Sequence, residues 1–284
     1  MKLTTKDLAE MLSFRRHPRT PGEEVFIHTY IDTVPGMNRD AYGNRFIKIG
    51  NSDTAFCCHT DTVHPPGGEP RQKVYKKGKW LYVDQTGMDP LGGDDTTGVW
   101  LCLNMIHNRV PGLYIFHREE EGGTRGSRWI AQNNPSLLSG INKIISFDRK
   151  GYEDVISHQS GKRTCSDEFA TELAKQLGGG FKPSSRGVFT DSAVYQKIVP
   201  ECSNLSIGYF NAHSPKEIQD IDFAKSLLKR LLKVNWKSLP VKRNPNEPVQ
   251  PGTPLQPLFF GNKLKSNQHN DKWKSNRFIG WEDL

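Results

Sequence analysis

Short apolar runs alternate along this chain with stretches of helical periodicity, and several of the runs lead directly into histidines or carboxylates. The runs at residues 54–59, 113–116, 144–147 and 205–210 are too short for buried helices and read as strands. Between them lie segments whose apolar residues recur at three- and four-residue spacing. Strands that alternate with helices cannot all be joined by hairpins, so most must pair in parallel through helical crossovers. The expected fold class is α/β: a three-layer αβα sandwich around a central, mostly parallel (mixed) sheet.

The helical segments carry their own punctuation. Residues 4–14 place Leu8, Met11 and Leu12 on one face of a first helix. Thr20-Pro21-Gly22-Glu23 is a helix start, with a capping Thr, Pro at the first position and Glu three residues after the cap. Val99, Trp100, Leu103 and Ile106 define a helix opening near Asp95, and residues 125–132 a short one. Ser166 is expected to cap a helix closed by Gly178-Gly179-Gly180. Thr190 is placed at the start of a helix through Val194 and Ile198, and Asp220 or Asp222 at the start of the last. Hairpins are expected at residues 40–51, turning on Tyr42-Gly43-Asn44, and at residues 74–83 around Lys77-Gly78-Lys79. Residues 155–158 read as a strand beside residues 144–147.

The chain's 284 residues suffice for one large α/β domain. No window holds the long uncharged apolar run a membrane span needs, so no membrane partner is expected. The five cysteines (Cys57, Cys58, Cys102, Cys165 and Cys202) are odd in number and form no C-x-x-C pair. That pattern fits small buried thiols in a reducing, cytoplasmic setting, and residues 1–7 lack the apolar core of a secretory signal. The net charge of +8 is spread among acids, so it reads as a solvated surface and nucleic acid is not indicated as a partner. Six of the 18 prolines fall in residues 240–257. The expected organisation is therefore a catalytic domain over residues 1–239, a Pro-rich linker or strap over 240–258 and a basic aromatic tail over 259–284.

Five segments carry the chemistry: His59-Thr60-Asp61, Gly92-Gly93-Asp94-Asp95, Glu119-Glu120-Glu121-Gly122, Phe147-Asp148-Arg149 and His213-Ser214-Pro215-Lys216-Glu217. Strand ends at the carboxyl edge of an α/β sheet are where sites form. Imidazole and carboxylate together suit zinc, with cobalt and manganese as the other candidates. A lone catalytic zinc needs three protein ligands, whereas this set supplies more, so two divalent ions sharing a carboxylate are expected. Adjacent glutamates can divide the remaining work, one on the metal and one acting as general base.

In their order, these motifs resemble the dinuclear zinc exopeptidases, the family of bacterial leucyl aminopeptidase, peptidase T, carboxypeptidase G, aminoacylase and succinyl-diaminopimelate desuccinylase. That family shows H-x-D, G-x-D-D-x-x-G, E-E-x-G, a strand-end acid and a late His, and here they span Ala55 to Glu217. The resemblance implies that Asp94 bridges the two ions, that Glu121 and His213 complete one site, and that His59 and Asp148 complete the other. It makes Glu120 the general base and Asp61 the residue that orients His59; a one-residue shift across the three glutamates is the alternative register. It also implies a cis peptide between Asp94 and Asp95.

Only 34 residues separate His59 from Asp94, and 64 separate Asp148 from His213. Neither gap holds an added lid or dimerisation domain, so the chain resembles the compact branch of the family. The implied activity is hydrolysis of peptide bonds, foremost as an aminopeptidase on short peptides, with a carboxypeptidase or N-acyl amino acid deacylase as the alternative. The substrate partner is thus a peptide or an N-acyl amino acid, and the sequence leaves the oligomeric state open. An acidic site favours a free α-amine, unless a cation such as Lys162, Arg163 or Arg186 folds over it and binds a carboxylate. Four other features carry lesser expectations. His64 reads as a loop residue, Tyr209 as core and Cys57 and Cys58 as strand packing, while Thr190-Asp191-Ser192 either lines a specificity pocket or caps a helix.

Overall fold

The computed structural model describes residues 2–247. The strap beyond residue 247 and the tail at 259–284 lie outside the described residues. The helices are α1 (Thr5–Met11), α2 (Pro21–Phe26, continued by a π-helical turn, Ile27–Ile31), α3 (Gly93–His107), α4 (Arg125–Asn133), α5 (Asp167–Leu177), α6 (Asp191–Val194) and α7 (Ile221–Leu231). The strands in chain order are β1 (Asn38–Arg39), β2 (Arg45–Ile49), β3 (Thr54–His59), β4 (Tyr75–Lys77), β5 (Trp80–Tyr82), β6 (Gly112–His117), β7 (Lys143–Arg149), β8 (Asp154–Ile156), β9 (His158–Gln159), β10 (Lys162–Arg163), β11 (Lys182–Ser184), β12 (Glu201–Ser206), β13 (Tyr209–Phe210) and β14 (Ile218–Asp220).

Eight strands form one mixed sheet in the order β1-β2-β6-β3-β7-β12-β8-β11. The central neighbours β6, β3, β7 and β12 are all parallel, so their carboxyl ends share one edge. Side-chain alternation along β3 builds the layers. Phe56 and Cys58 face the cluster formed with α1, α3, α5 and α7, while Ala55 and Cys57 face the cluster with Ile130 of α4 and Tyr195 after α6. Burial on both faces explains why the central strands are continuously apolar rather than alternating. The fold is the αβα arrangement expected from the alternating pattern. All five cysteines are buried and free.

Two buried guanidinium groups fasten the loops at the carboxyl edge. Arg16 donates to the Thr60 carbonyl (2.7 Å) and to Thr96 Oγ1 (2.7 Å), joining the exit of β3 to the start of α3. Arg118, just past β6, pairs with Glu23 and Glu24 of α2. The Arg118–Glu23 pair is costly to break because either charge left alone would be buried without a partner.

Several boundaries differ from the sequence pattern, each for a local reason. The first helix stops at Met11, because Phe14 turns into a bridge with Arg71. Its cap is Thr4, in a reciprocal capping box with Asp7. Thr20 makes no capping bond with its side chain, and Glu23 points inward to Arg118 instead. The first hairpin is real but its outer strand is Asn38–Arg39, ahead of Asp40. β8 does not adjoin β7, since β12 lies between them. The helix expected to run to Ile198 ends at Val194. The strand expected at residues 205–210 starts at Glu201 and stops at Ser206; Tyr209 and Phe210 belong to a second, four-stranded antiparallel sheet. No described helix is long and apolar enough to cross a membrane. The described start of the strap is anchored: the backbone N–H groups of Lys242 and Arg243 donate to buried Glu201 (2.7 and 3.0 Å).

Phe56 is the keystone of the larger cluster. Its ring lies 5.1 Å from Tyr114, 5.9 Å from Phe147 and 4.7 Å from Trp236. Phe56→Ala should cost about 3–5 kcal/mol in a reversible denaturant titration, from lost burial plus the cavity left behind. A loss below about 1 kcal/mol would mean that these rings repack around the gap.

Candidate metal centre

The site grows out of the shared carboxyl edge. β3 ends on His59, the chain past β6 brings Glu119, Glu120 and Glu121, and β7 carries Asp148. The first turn of α3 brings Asp94, and the loop after β13 brings His213. Glu119 and His213 sit at positive φ (57° and 62°), which non-glycine residues rarely adopt, so backbone strain gathers beside the carboxylates. The Asp94–Asp95 peptide is cis. Gly98 is required one turn later: a Cβ there would collide with the Asp95 carboxylate and the Phe147 carbonyl.

Asp94 lies between the two histidines. Its Oδ1 is 3.1 Å from His59 Nε2 and its Oδ2 3.4 Å from His213 Nε2. Glu121 Oε1 approaches His213 Nε2 to 2.9 Å, and Asp148 Oδ1 lies 3.8 Å from His59 Nε2. The structure thus brings His59, Asp94, Glu121, Asp148 and His213 together. Ligand atoms of His59, Asp94 and Glu121 all fall within 4.8 Å of one another. Of the three consecutive glutamates, Glu119 turns away to Arg19 and Arg125, while Glu121 faces His213.

Supporting contacts aim these groups. His59 Nδ1 lies 3.0 Å from the Asp61 carbonyl and 3.6 Å from its carboxylate, an arrangement that turns Nε2 toward Asp94. The Asp61 carboxylate instead accepts the N–H groups of Glu120 (3.1 Å) and Glu121 (3.0 Å). Asp61 therefore braces the glutamates as much as the histidine. Glu217 accepts from the N–H groups of Gly92 (2.7 Å) and Asp94 (3.0 Å), fixing the entry to α3. Asp95 accepts from His59 N–H (3.1 Å) and Gly98 N–H (3.0 Å). Asn204 bonds both ways with the Asp148 backbone at 3.0 Å, and Thr190 donates to Asp148 Oδ2.

Sequence reasoning left Glu217, Asp95, Asn204 and Thr190 without these roles. Glu217 was visible as the last letter of the late motif, but only the fold shows it reaching back to residue 92. Tyr209 is buried as expected, and its hydroxyl also faces Asp148 Oδ1 at 3.4 Å. His64 lies in a loop, as expected, and is buried there against Thr62 Oγ1 (2.6 Å); burial pushes its pKa down to about 4. Cys57 and Cys58 stay within the strand packing.

The donor set fits a divalent cation. Burial opposes ionisation of Asp94, yet the imidazoles of His213 and His59 hold its carboxyl well below the usual range. Burial, then neighbouring Asp94, pushes Asp148 up to about 7. Burial also pushes Glu120 well up, with Asp148 and Asp191 adding and His59 opposing. Asp94 and then Glu121 raise His213 to about 11. Carboxylates this close cannot all carry charge unless positive charge sits among them. The buried Glu121 Oε1 has no aligned hydrogen-bond donor, so a lone pair is left for a cation.

No protein-family model matches this sequence, and no curated protein matches it. Solved structures share its fold. Aminopeptidase PepT from Bacillus cereus superposes with a TM-score of 0.65 at 12% identity, covering 81% of this chain and 96% of that one. A tripeptidase from Staphylococcus aureus gives 0.63 at 14% identity, over 81% and 96%. The TET1 peptidase from Pyrococcus horikoshii, which can assemble into a tetrahedron or a large octahedral shell, gives 0.61 at 14%, over 81% and 98%. At these identities the likeness establishes the fold, which is the one the motif order implied.

Glu217→Ala would leave the N–H groups of Gly92 and Asp94 without their acceptor. Zinc affinity, measured by competition with a chromophoric chelator, should fall about 10- to 100-fold, as for other supports of metal ligands. Unchanged affinity would show that α3 holds Asp94 in place without Glu217.

Proposed function

We propose that this chain is a metal-dependent exopeptidase and, more narrowly, an aminopeptidase on short peptides. The observation that carries the reading is Asp94 set between His59 and His213, one carboxylate oxygen toward each. In this reading Asp94 would be shared by two divalent ions, most simply zinc. Glu121 and His213 would hold one ion, and His59 and Asp148 the other. Bound there, such a pair would polarise the substrate carbonyl and acidify a water.

The chain's own residues supply the rest. Glu120 takes the proton of the attacking water, and burial, which raises its affinity for a proton, suits that task. It then hands the proton to the leaving amine. Asp61 holds Glu120 and Glu121 in register through their N–H groups, so base and ligand keep a fixed spacing. Thr190 and Tyr209 direct the Asp148 carboxylate from the far side. The described residues form no lid, so recognition rests on groups close to the cluster, and its acidic character favours a free α-amine. A deacylase with the same centre would instead favour blocked amines.

Three measurements test this reading, and the last separates it from the deacylase. Removal of metal by a chelator should abolish hydrolysis of aminoacyl nitroanilides, and zinc or cobalt should restore it. Glu120→Gln should retain metal yet lose about 10²–10⁴-fold in turnover. Faster cleavage of N-acyl amino acids than of free-amine substrates would replace the aminopeptidase by the deacylase. Loss of metal in Glu120→Gln, with metal retained in Glu121→Gln, would exchange the two glutamates' roles.

A further inference from the structure

The smaller, four-stranded sheet keeps one face out of the core. Its strands run in the order β13-β14-β5-β4, and register sets Phe210 beside Ile218, Ile218 beside Tyr82 and Tyr82 beside Tyr75. Residues paired in this way share a face, so these side chains form one row across the whole sheet. Trp80 lies two residues from Tyr82 and shares that face. The alternate residues Tyr209, Gln219 and Leu81 are buried, which marks theirs as the inner face. Phe210, Ile218, Tyr82, Tyr75 and Trp80 are only half-buried. The rings of Tyr75 and Tyr82 stack at 5.7 Å and 23°. Trp80 meets Phe210 edge-on at 6.1 Å, and Phe210 meets Tyr152 at 4.9 Å. A strip of half-open rings thus crosses the sheet, and apolar surface of this kind marks an interaction site.

The charge around the strip has one sign. Net charge is spread among acids over the whole chain, but between Glu69 and Asp84 there are five cations and no acid. Lys73 Nζ lies 4.8 Å over the Tyr75 ring, and Lys79 Nζ lies 4.7 Å over Trp80. Lys79 is fixed there by Asp220 at 2.8 Å. Lys73, Lys76 and Lys216 are exposed and have no acidic partner among the described residues. Lys76 stands on β4, the free edge of the sheet, and a charged edge resists addition of another strand. A partner must therefore lie on the face. A second copy would set lysine against lysine, a costly juxtaposition. An acidic peptide would satisfy the amines and leave the rings uncovered. An amine beside a ring, repeated at Lys73–Tyr75 and Lys79–Trp80, matches the phosphate and base of a nucleotide. A duplex hides its base faces, so the match is to a single strand.

We propose that the outer face of this sheet binds single-stranded nucleic acid, with bases on the aromatic strip and phosphates on Lys73, Lys76 and Lys216. The binding is a second property of the chain and does not depend on the hydrolytic reading of the Asp94 cluster. Stacking on rings tolerates any base, so the binding is insensitive to sequence. Each phosphate contact releases a counterion, so affinity falls steeply with salt.

The test is fluorescence anisotropy of a labelled oligothymidylate of about 15 nucleotides, near the upper site size of one small binding fold, titrated with the full chain over a range of salt. Tyr75→Leu keeps apolar bulk, removes one ring from the strip, and should weaken binding about 5- to 100-fold. The double variant Lys73→Gln, Lys76→Gln should flatten the plot of log affinity against log salt by about 1.4, two phosphate contacts at about 0.7 each. Lys48→Gln, an exposed lysine on β2 of the larger sheet, should change neither. Should Tyr75→Leu lose its cooperative melting transition, the lysine pair and the competitors decide. Duplex DNA and an oligoglutamate of equal charge should each compete at least about tenfold less well, as a stacked base contributes that much. No binding at low salt, equal competition by oligoglutamate or duplex, or an affinity that survives both the folded Tyr75→Leu and the lysine pair would each overturn the proposal. So would a chain that self-associates in sedimentation and becomes monomeric in Tyr75→Leu, which would give the face to a second copy.

Discussion

Asp94, Glu120, Glu121 and Asp148 crowd four carboxylates into one largely buried pocket, and the surrounding structure is organised around keeping them there. Burial and mutual repulsion both work against their ionisation. The imidazoles of His59 and His213 relieve this only for Asp94, the one group whose carboxyl is held low. Asp148 and Glu120 are pushed upward. A cluster of carboxylates and imidazoles with this charge pattern suits a divalent cation.

Around that cluster lies a ring of hydrogen bonds made mostly by backbone groups. Asp61 collects the N–H groups of Glu120 and Glu121, Glu217 those of Gly92 and Asp94, and Asp95 those of His59 and Gly98. Each acidic residue in this ring fixes a stretch of chain rather than a side chain. The spacing between ligand-bearing segments is therefore set by buried carboxyl-to-amide bonds, and the charge-assisted ones are those of Asp61, whose carboxyl, against burial, His59 and the Glu120 N–H hold below its usual range. Arg16 and Arg118 act one layer further out, tying β3 and β6 exits to α3 and α2. Rigid placement of this kind is what a catalytic constellation requires, because small displacements of the reacting groups are costly.

Much of the scaffold was legible because its signals are local. The β3 strand, α3 and α5 with its Ser166 cap follow from apolar periodicity and capping chemistry alone, and their observed limits match closely. The errors fall where a distant partner outcompetes a local preference. Glu23 should have closed a capping box, but a buried Arg118 claims it. Thr190 does stand at the head of a helix, but its hydroxyl serves Asp148 rather than a capping bond and the helix is only four residues long. β12 begins early because parallel pairing with β7 from Glu201 onward rewards an extended chain that its polar residues do not advertise.

The chemical identity of the site was written in the sequence: two histidines and several carboxylates, each beside a predicted strand end, in a fixed order. Residue type and order are one-dimensional properties, and strand ends at a parallel edge converge whatever the details of packing. Which groups touch was decided only in three dimensions. Nothing in the spacing says that the Asp61 carboxylate serves two glutamate amides while its carbonyl serves His59, or that Glu217 reaches back to Gly92 across the fold. Nor does it say that Glu119, first of three identical neighbours, is taken by Arg19 and Arg125. Those choices depend on side-chain direction and on partners far away in sequence, and only the packed structure brings such partners within hydrogen-bond reach.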